Sequence, residues 1–362
     1  MFLFFVLTAI LKIEGERVKK KIILFILSLL VLGVSIPLLY QTFTKKEKKQ
    51  EEQKSQPIVE EEKPVPKLQI VDEDSKSRPY AVMINNNQAA WKNHAGLKDA
   101  YLVYEIITEG GITRMMALFK DQNTERIGSV RSSRHYFLDY ALENDAIYVH
   151  FGWSPKAQSD IPSLGINNIN GIYDNSFWRD QTLGVAYEHT AFTSIELVNQ
   201  LALKRNYIRE TNKDLLLNYN IEELSINDKE GALIANTITI PYSKSYTVSY
   251  QYNIETKRYM RYMNDWAHTD GVTGEHYSTK NIIIQNVENY SMDSYGRQDL
   301  KNIGNGNGYF ITNGYAVPIS WSKESRIGQT KYSYLDGTEI IVNDGNTFIQ
   351  IEPVNMTPTF LE

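Results

Sequence analysis

From Ala235 to the end the chain repeats one pattern: short runs that alternate apolar and polar residues, each closed by Asn, Asp or Gly. TITIPY, YTVSYQYN, KRYMRYM, NIIIQNV, GYFITNG, YAVPISW, TKYSYL, TEIIV and TFIQIEP all follow it. A period of two sends successive side chains to opposite faces of a strand, and no long helix-spaced stretch interrupts the series. Residues 226–362 are therefore expected to form a mostly β domain, a sandwich or barrel. The chain's 24 Tyr, 13 Phe and 5 Trp supply ring area for its core. NIGNGNG at 302–308 reads as a strand connection, because it lacks the Lys-Ser/Thr that orients phosphate in a nucleotide loop.

Residues 78–225 change period repeatedly, which predicts an α+β domain, a mixed sheet with flanking helices. YAVMI, ending in Asn85, Asn86 and Asn87, is one strand; YLVYEIITE and TRMMALF form a hairpin across Gly110 and Gly111. A two-residue turn there pairs Glu109 with Ile112 and Ile107 with Arg114. That register places Glu105, Ile107, Glu109, Arg114 and Met116 on one face, with Arg114 diagonally between two carboxylates. Four residues of strand separate Glu105 from Glu109 by about 13 Å, beyond the roughly 5–9.5 Å of a glycosidase carboxylate pair.

The run SSRHYFLDYALEN has helical spacing with Ser132 or Ser133 as its cap, so Arg131 and Arg134 fall at a helix start. The helix dipole disfavours cations there. Two guanidinium groups beside free N–H groups suit either an anion or an internal carboxylate such as Glu105 or Glu109. The strand AIYV delivers His150 to its end, ahead of Ser154-Pro155 as a helix cap and first residue. Glu188-His189-Thr190 precedes TSIE at 193–196, a capping-box pattern opening a helix to about Arg205. His150 and His189 are weak catalytic candidates. The remaining histidines are scattered and HExxH is absent, so neither metal nor cofactor is expected.

The N-terminal stretch points to a compartment. Arg17, Lys19, Lys20 and Lys21 precede IILFILSLLVLGVSIPLLY, an uncharged run at 22–40 long enough to span a bilayer and followed by no A-x-A cleavage pattern. It is expected to be an uncleaved transmembrane anchor with the bulk of the chain on the extracellular side. Residues 1–21 form an extension and basic flank, in which Val18 stands as an alternative start. Residues 41–77, with KKEKKQEEQKSQPIVEEEKPVPK, are expected to be a disordered tether. A net charge of -5 leaves no general positive face for a nucleic acid partner. The absence of Cys removes disulfides, thiolate metal sites and a lipid-accepting thiol.

RPYAVMINN, AGLKDAYLVYEIITEGGITRMMALF, IGSVRSSRHYFLDYALENDAIYVHFG and GNGYFITNGYAVPISW resemble the YerB-like family of membrane-anchored extracytoplasmic Gram-positive proteins, over about residues 78–354. The resemblance implies a two-domain layout and an envelope location, and supplies no catalytic residues. Members of that family are typically lipoproteins; without Cys, this chain is expected to rely on its helix instead. The expected function is binding of an envelope ligand, whether anionic polymer, glycan or protein, through Glu105, Glu109, Arg114, Arg131 and Arg134. The alternative is a hydrolase or transferase of a wall polymer with His150 or His189 as base.

Overall fold

The structure, a computed structural model, describes residues 15–28, 40, 41, 44, 45 and 67–362. The chain divides into two compact units, 1–65 and 66–362. In the first, a helix covers 16–28. Most of the expected anchor at 22–40 and of the expected tether lies outside the described residues. Among those described, no helix is long and apolar enough to cross a membrane.

In the second unit the principal strands are, in chain order, β1 (Tyr80–Asn85), β2 (Leu102–Ile107), β3 (Thr113–Phe119), β4 (Ile147–His150), β5 (Asn168–Asn170), β6 (Leu233–Ile234) and β7 (Thr237–Pro241). They continue with β8 (Thr247–Asn253), β9 (Arg258–Met263), β10 (Asn281–Val287), β11 (Gly304–Thr312), β12 (Tyr315–Lys323), β13 (Thr347–Pro353) and β14 (Thr359–Leu361). The helices are α1 (His135–Glu143), α2 (Pro155–Ser163) and α3 (Ile195–Lys204).

One 11-stranded sheet runs β6-β12-β11-β10-β13-β2-β3-β1-β4-β5, with Lys331–Tyr334 paired to β12. The mixed α/β character expected for 78–225 and the β-rich character expected for 226–362 are both present. The second segment does not close into a sandwich or barrel of its own. Its strand β13 inserts between β10 and β2, parallel to both, with Thr347 opposite Asn281 on one side and Leu102 on the other. Strands of both segments thus share a single ladder of backbone hydrogen bonds. No local pattern encodes that choice, because β13 is buried on both faces and would pair equally well with any apolar neighbour.

The remaining C-terminal strands form a 6-stranded sheet that includes β9-β8-β7-β14. Its Ile238, Ile240, Val248 and Tyr250 share a core with Val103 and Ile107 of β2, Met115 of β3, Ile282 and Ile284 of β10 and Phe348 of β13. Two sheets therefore lie face to face over one apolar layer, as period-two alternation allows. The opposite face of the large sheet is covered by Tyr136, Phe137, Leu138, Tyr140 and Ala141 of α1. Residues 67–77, expected as the end of the tether, are docked. Val71 is buried, Leu68 and Ile70 pack on the second core, and Asp344 accepts from the N–H groups of Gln69 and Ile70 at 2.8 and 3.1 Å.

Charges cross the apolar layers at few points. Arg261 of β9 and Glu105 of β2, both 0% exposed, meet at 2.7 Å between the two sheets. Under α1 a row at i, i+4 and i+8 reaches C-terminal partners: His135 with Asp299, Asp139 with Arg326, and Glu143 with Lys323, at 2.7, 2.6 and 2.6 Å. Removing one member of a buried pair leaves the other charge uncompensated, at a cost of about 3–5 kcal/mol. Arg261→Met is expected to lower stability in urea by that amount, and adding Glu105→Gln should restore part of it. A double variant as unstable as the sum of the two singles would show that the groups are not coupled.

Candidate functional site

The β2–β3 connection sets the geometry of the first site. Thr108 through Ile112 link the strands, with the Thr108 N–H donating to the Ile112 carbonyl at 2.7 Å. Gly110 and Gly111 take φ of 73° and 72°, and a Cβ on Gly111 would come within 2.9 Å of Ser243. The ladder pairs Ile107 with Thr113, Ile106 with Arg114 and Glu105 with Met115. The expected two-residue turn is thus corrected to a longer loop, with β3 shifted by one residue against β2. A slip of one moves every side chain of a strand to the other face. Arg114 consequently points to the α1 side, away from Glu105, and does not lie between two carboxylates.

Glu105 becomes the centre of a buried polar network. Its Oε1 accepts from Thr113, Tyr246 and Asn86 at 2.6, 2.9 and 3.0 Å, while Oε2 accepts from Arg261. Arg261 also donates through Nη1 to His268 Nδ1. Because a guanidinium can only donate, His268 must carry its proton on Nε2 and donate to His94 Nδ1 at 2.7 Å. His94 Nε2–H in turn donates to the Asn85 carbonyl at 2.5 Å. One arginine therefore dictates the tautomers of two histidines. Burial pushes His94 down to about 3, and burial with the adjacent Arg261 holds His268 well below the usual imidazole range. Both rings are neutral at physiological pH. The expected reading of these histidines as scattered missed this chain. The usable signal was the alternation of RYMRYM, which turns Arg261 inward with Tyr259 and Met263.

The other charged residues gather at the opposite face of the loop. The Arg134 fork grips Glu109 with Nε–Oε1 at 2.6 Å and Nη2–Oε2 at 2.8 Å. Arg114 stands 4.0 Å from the same carboxylate and donates to the Ser132 carbonyl at 2.6 Å. Among the described residues the Arg131 side chain reaches only the carbonyl and carboxylate of Glu188, at 3.4 and 3.7 Å. Arg179 stacks on Tyr187 and Phe151, 3.7 and 4.4 Å from the ring centres. Four guanidinium groups thus face two carboxylates, Glu109 and Glu188, leaving two positive charges in excess (4 − 2 = 2). Burial and the neighbouring Arg134 push Arg114 down to about 9. Burial would raise Glu109, but Arg134 and Arg114 hold it below the ordinary carboxylate range.

Local structure explains the placing. α1 begins at His135 with Arg134 as its cap residue, later than the expected Ser132 or Ser133. Ser133 is instead held in extended pairing with Trp153, and its hydroxyl accepts from Tyr148 at 2.9 Å. α3 opens one residue later than the expected box, with the Ser194 hydroxyl accepting from the Leu197 N–H at 3.2 Å. Segment 129–134 passes the carboxyl ends of β1 and β4: Arg131 N–H donates to the Met83 carbonyl and Phe151 N–H to the Arg131 carbonyl. Such strand ends are where open α/β sheets place ligands.

His150 and His189 have separate environments. His150 is fully buried, donates through Nδ1 to the Gly152 carbonyl at 2.8 Å and accepts at Nε2 from Asn168 at 3.2 Å. Burial pushes it down to about 4. His189 Nδ1 accepts from Asn85 Nδ2 at 2.7 Å, and burial together with Arg131 lowers its affinity for a proton. Among the described residues neither ring bonds a carboxylate or the other ring, and no group of three or more His, Cys, Asp or Glu could hold a metal.

Comparison with known proteins returns consistent matches. A family model described as protein of unknown function (DUF3048), N-terminal domain, matches residues 67–208, and the model of its C-terminal domain matches 238–349. The protein described as "Putative lipoprotein YerB" from Bacillus subtilis (strain 168) is 29% identical over 296 residues, covering 80% of this chain and 86% of that one. The crystal structure of YerB from Bacillus subtilis is similar with a TM-score of 0.68 at 28% identity, covering 80% of this chain and 96% of that chain.

A buried histidine held neutral makes stability depend on pH. The folded-state affinity of His150 lies below its unfolded value of 6.5, so its contribution is complete above pH 6.5 and is lost as pH falls toward about 4. Between pH 7 and pH 5 wild type should lose about 2 kcal/mol relative to His150→Gln in urea titrations. Parallel pH profiles for the two proteins would contradict a neutral, buried His150.

Proposed function

This chain belongs to the YerB-like family of two-domain proteins, and from that premise we propose that it is a membrane-anchored, extracytoplasmic protein that binds an anionic group of an envelope polymer. The apolar run at 22–40, following a basic flank, supports the anchor, and the relative described as a putative lipoprotein supports the same side of the membrane. The observation that carries the binding reading is the excess of guanidinium over carboxylate at Arg114, Arg131, Arg134 and Arg179. Arg131 is the least engaged member, with only long contacts to Glu188, whose side chain is 55% exposed. A phosphate or carboxylate can displace so loose a partner and take two donors from the planar fork. Arg134, tied in bidentate fashion to Glu109, orients the loop and adds to the field rather than opening to a ligand.

The binding carries a specific signature. In detergent micelles the full chain is expected to be retained on immobilised poly(glycerol phosphate), and retention should weaken as salt rises. Arg131→Ala should weaken it by about ten-fold and Arg131→Lys by less, since a point charge replaces a fork. Equal retention by wild type, Arg131→Ala and Arg134→Ala would overturn the assignment.

A further inference from the structure

A cavity whose lining includes none of the clustered arginines lies past the carboxyl end of β1, and its walls come from both segments of the chain. Trp91 follows β1 in the short helix Gln88–Asn93; its indole N–H donates to the Asn86 carbonyl at 3.0 Å and only 8% of the residue is exposed. Trp266 lines the same cavity, just past the Asn264-Asp265 turn that follows β9, and is 60% exposed. Met263 adds apolar lining, and Gln88, Lys92 and Thr269 add polar groups around a volume of about 240 Å³.

The walls are held at a fixed spacing. The Gly271 N–H donates to the His94 carbonyl at 2.7 Å, and a Cβ on Gly271 would approach the Lys92 carbonyl to 2.5 Å. Asp270 accepts from the Gly96 N–H at 3.0 Å and from the Tyr277 hydroxyl at 2.7 Å. An exposed indole beside a preformed cavity offers a ligand an apolar face to stack on. The Lys92 ammonium lies 5.9 Å from the Trp266 ring centre, facing the ring rather than a carboxylate.

We propose that this cleft binds an acidic sugar, a pyranose ring bearing a carboxylate. One face of such a ring is a layer of C–H groups, complementary to the electron-rich face of an indole. Its hydroxyl edge meets the amide of Gln88 and the hydroxyl of Thr269, and its carboxylate meets Lys92. A purely apolar occupant would use the indoles and leave all three polar groups without partners. A simple inorganic anion would use Lys92 and leave the indoles idle. The cleft is separate from Arg131 and does not rest on the reading of that cluster.

Tetragalacturonate serves as the acidic probe and cellotetraose as its neutral counterpart, titrated into the full chain in detergent micelles while the indole signals are followed. Tetragalacturonate should bind saturably, Trp266→Ala should weaken it by about ten-fold, and Trp266→Phe should restore part of the loss. Lys92→Gln should weaken tetragalacturonate and leave cellotetraose unchanged. Unaltered thermal unfolding of Trp266→Ala would show that the loss reflects the cleft and not the fold. The proposal fails if tetragalacturonate does not saturate, if Trp266→Ala binds as wild type does, or if Lys92→Gln leaves the acidic probe unaffected.

Discussion

The salt bridge between Glu105 and Arg261 is the contact on which the rest of the arrangement depends. Taking two charges out of water costs several kcal/mol per ion, and the attraction between them offsets that only when their other donors and acceptors are satisfied. Glu105 meets this condition with Thr113, Tyr246 and Asn86 besides Arg261, whereas the buried Nε of Arg261 finds no partner among the described residues. Arg261 then projects its geometry outward through His268 and His94 to the backbone of Asn85. Asn85 also holds His189 through its side chain, and its Cα partner across the ladder is Arg114. Asn85 thus joins the buried pair to His189 and, through the ladder, to the strand that carries Arg114.

A second seam runs along the other face of the large sheet. His135, Asp139 and Glu143 lie on a single stripe of α1, and each is paired with a residue from the C-terminal segment. The helix is thus apolar toward the sheet and ionic toward the segment that follows it by more than a hundred residues. Two family models meet in this chain as consecutive regions. Physically those regions share a sheet, a core and charge pairs on both faces, so neither presents a finished surface to water.

The local structure was readable from residues alone, and its long-range pairing was not. Alternation located β7 through β13, except that 304–308, read as a connection, forms the first half of β11, and Ser154-Pro155 located the start of α2, because these patterns depend on neighbours in sequence. TEGGIT is compatible with a two-residue turn and with the longer loop observed, and only the tertiary contact of Gly111 with Ser243 separates them. That ambiguity of one residue misplaced Arg114 and hid the role of Glu105. The pairing of Arg134 with Glu109 was among the outcomes the helix start allowed. The meeting of His94 with His268 was invisible, since they are 174 residues apart and nothing in either stretch refers to the other.

The place of β13 has a consequence for how the molecule comes into being. The strand that sits between β10 and β2 is formed by Thr347–Pro353, residues made after both of its neighbours. Until they arrive, β2 and β10 each present an open edge, and no earlier strand fills the gap. Synthesis therefore leaves that slot vacant until β13 emerges. Such edges are templates for pairing with other chains. Completion of the sheet waits on β13, which makes that strand the keystone between the two segments.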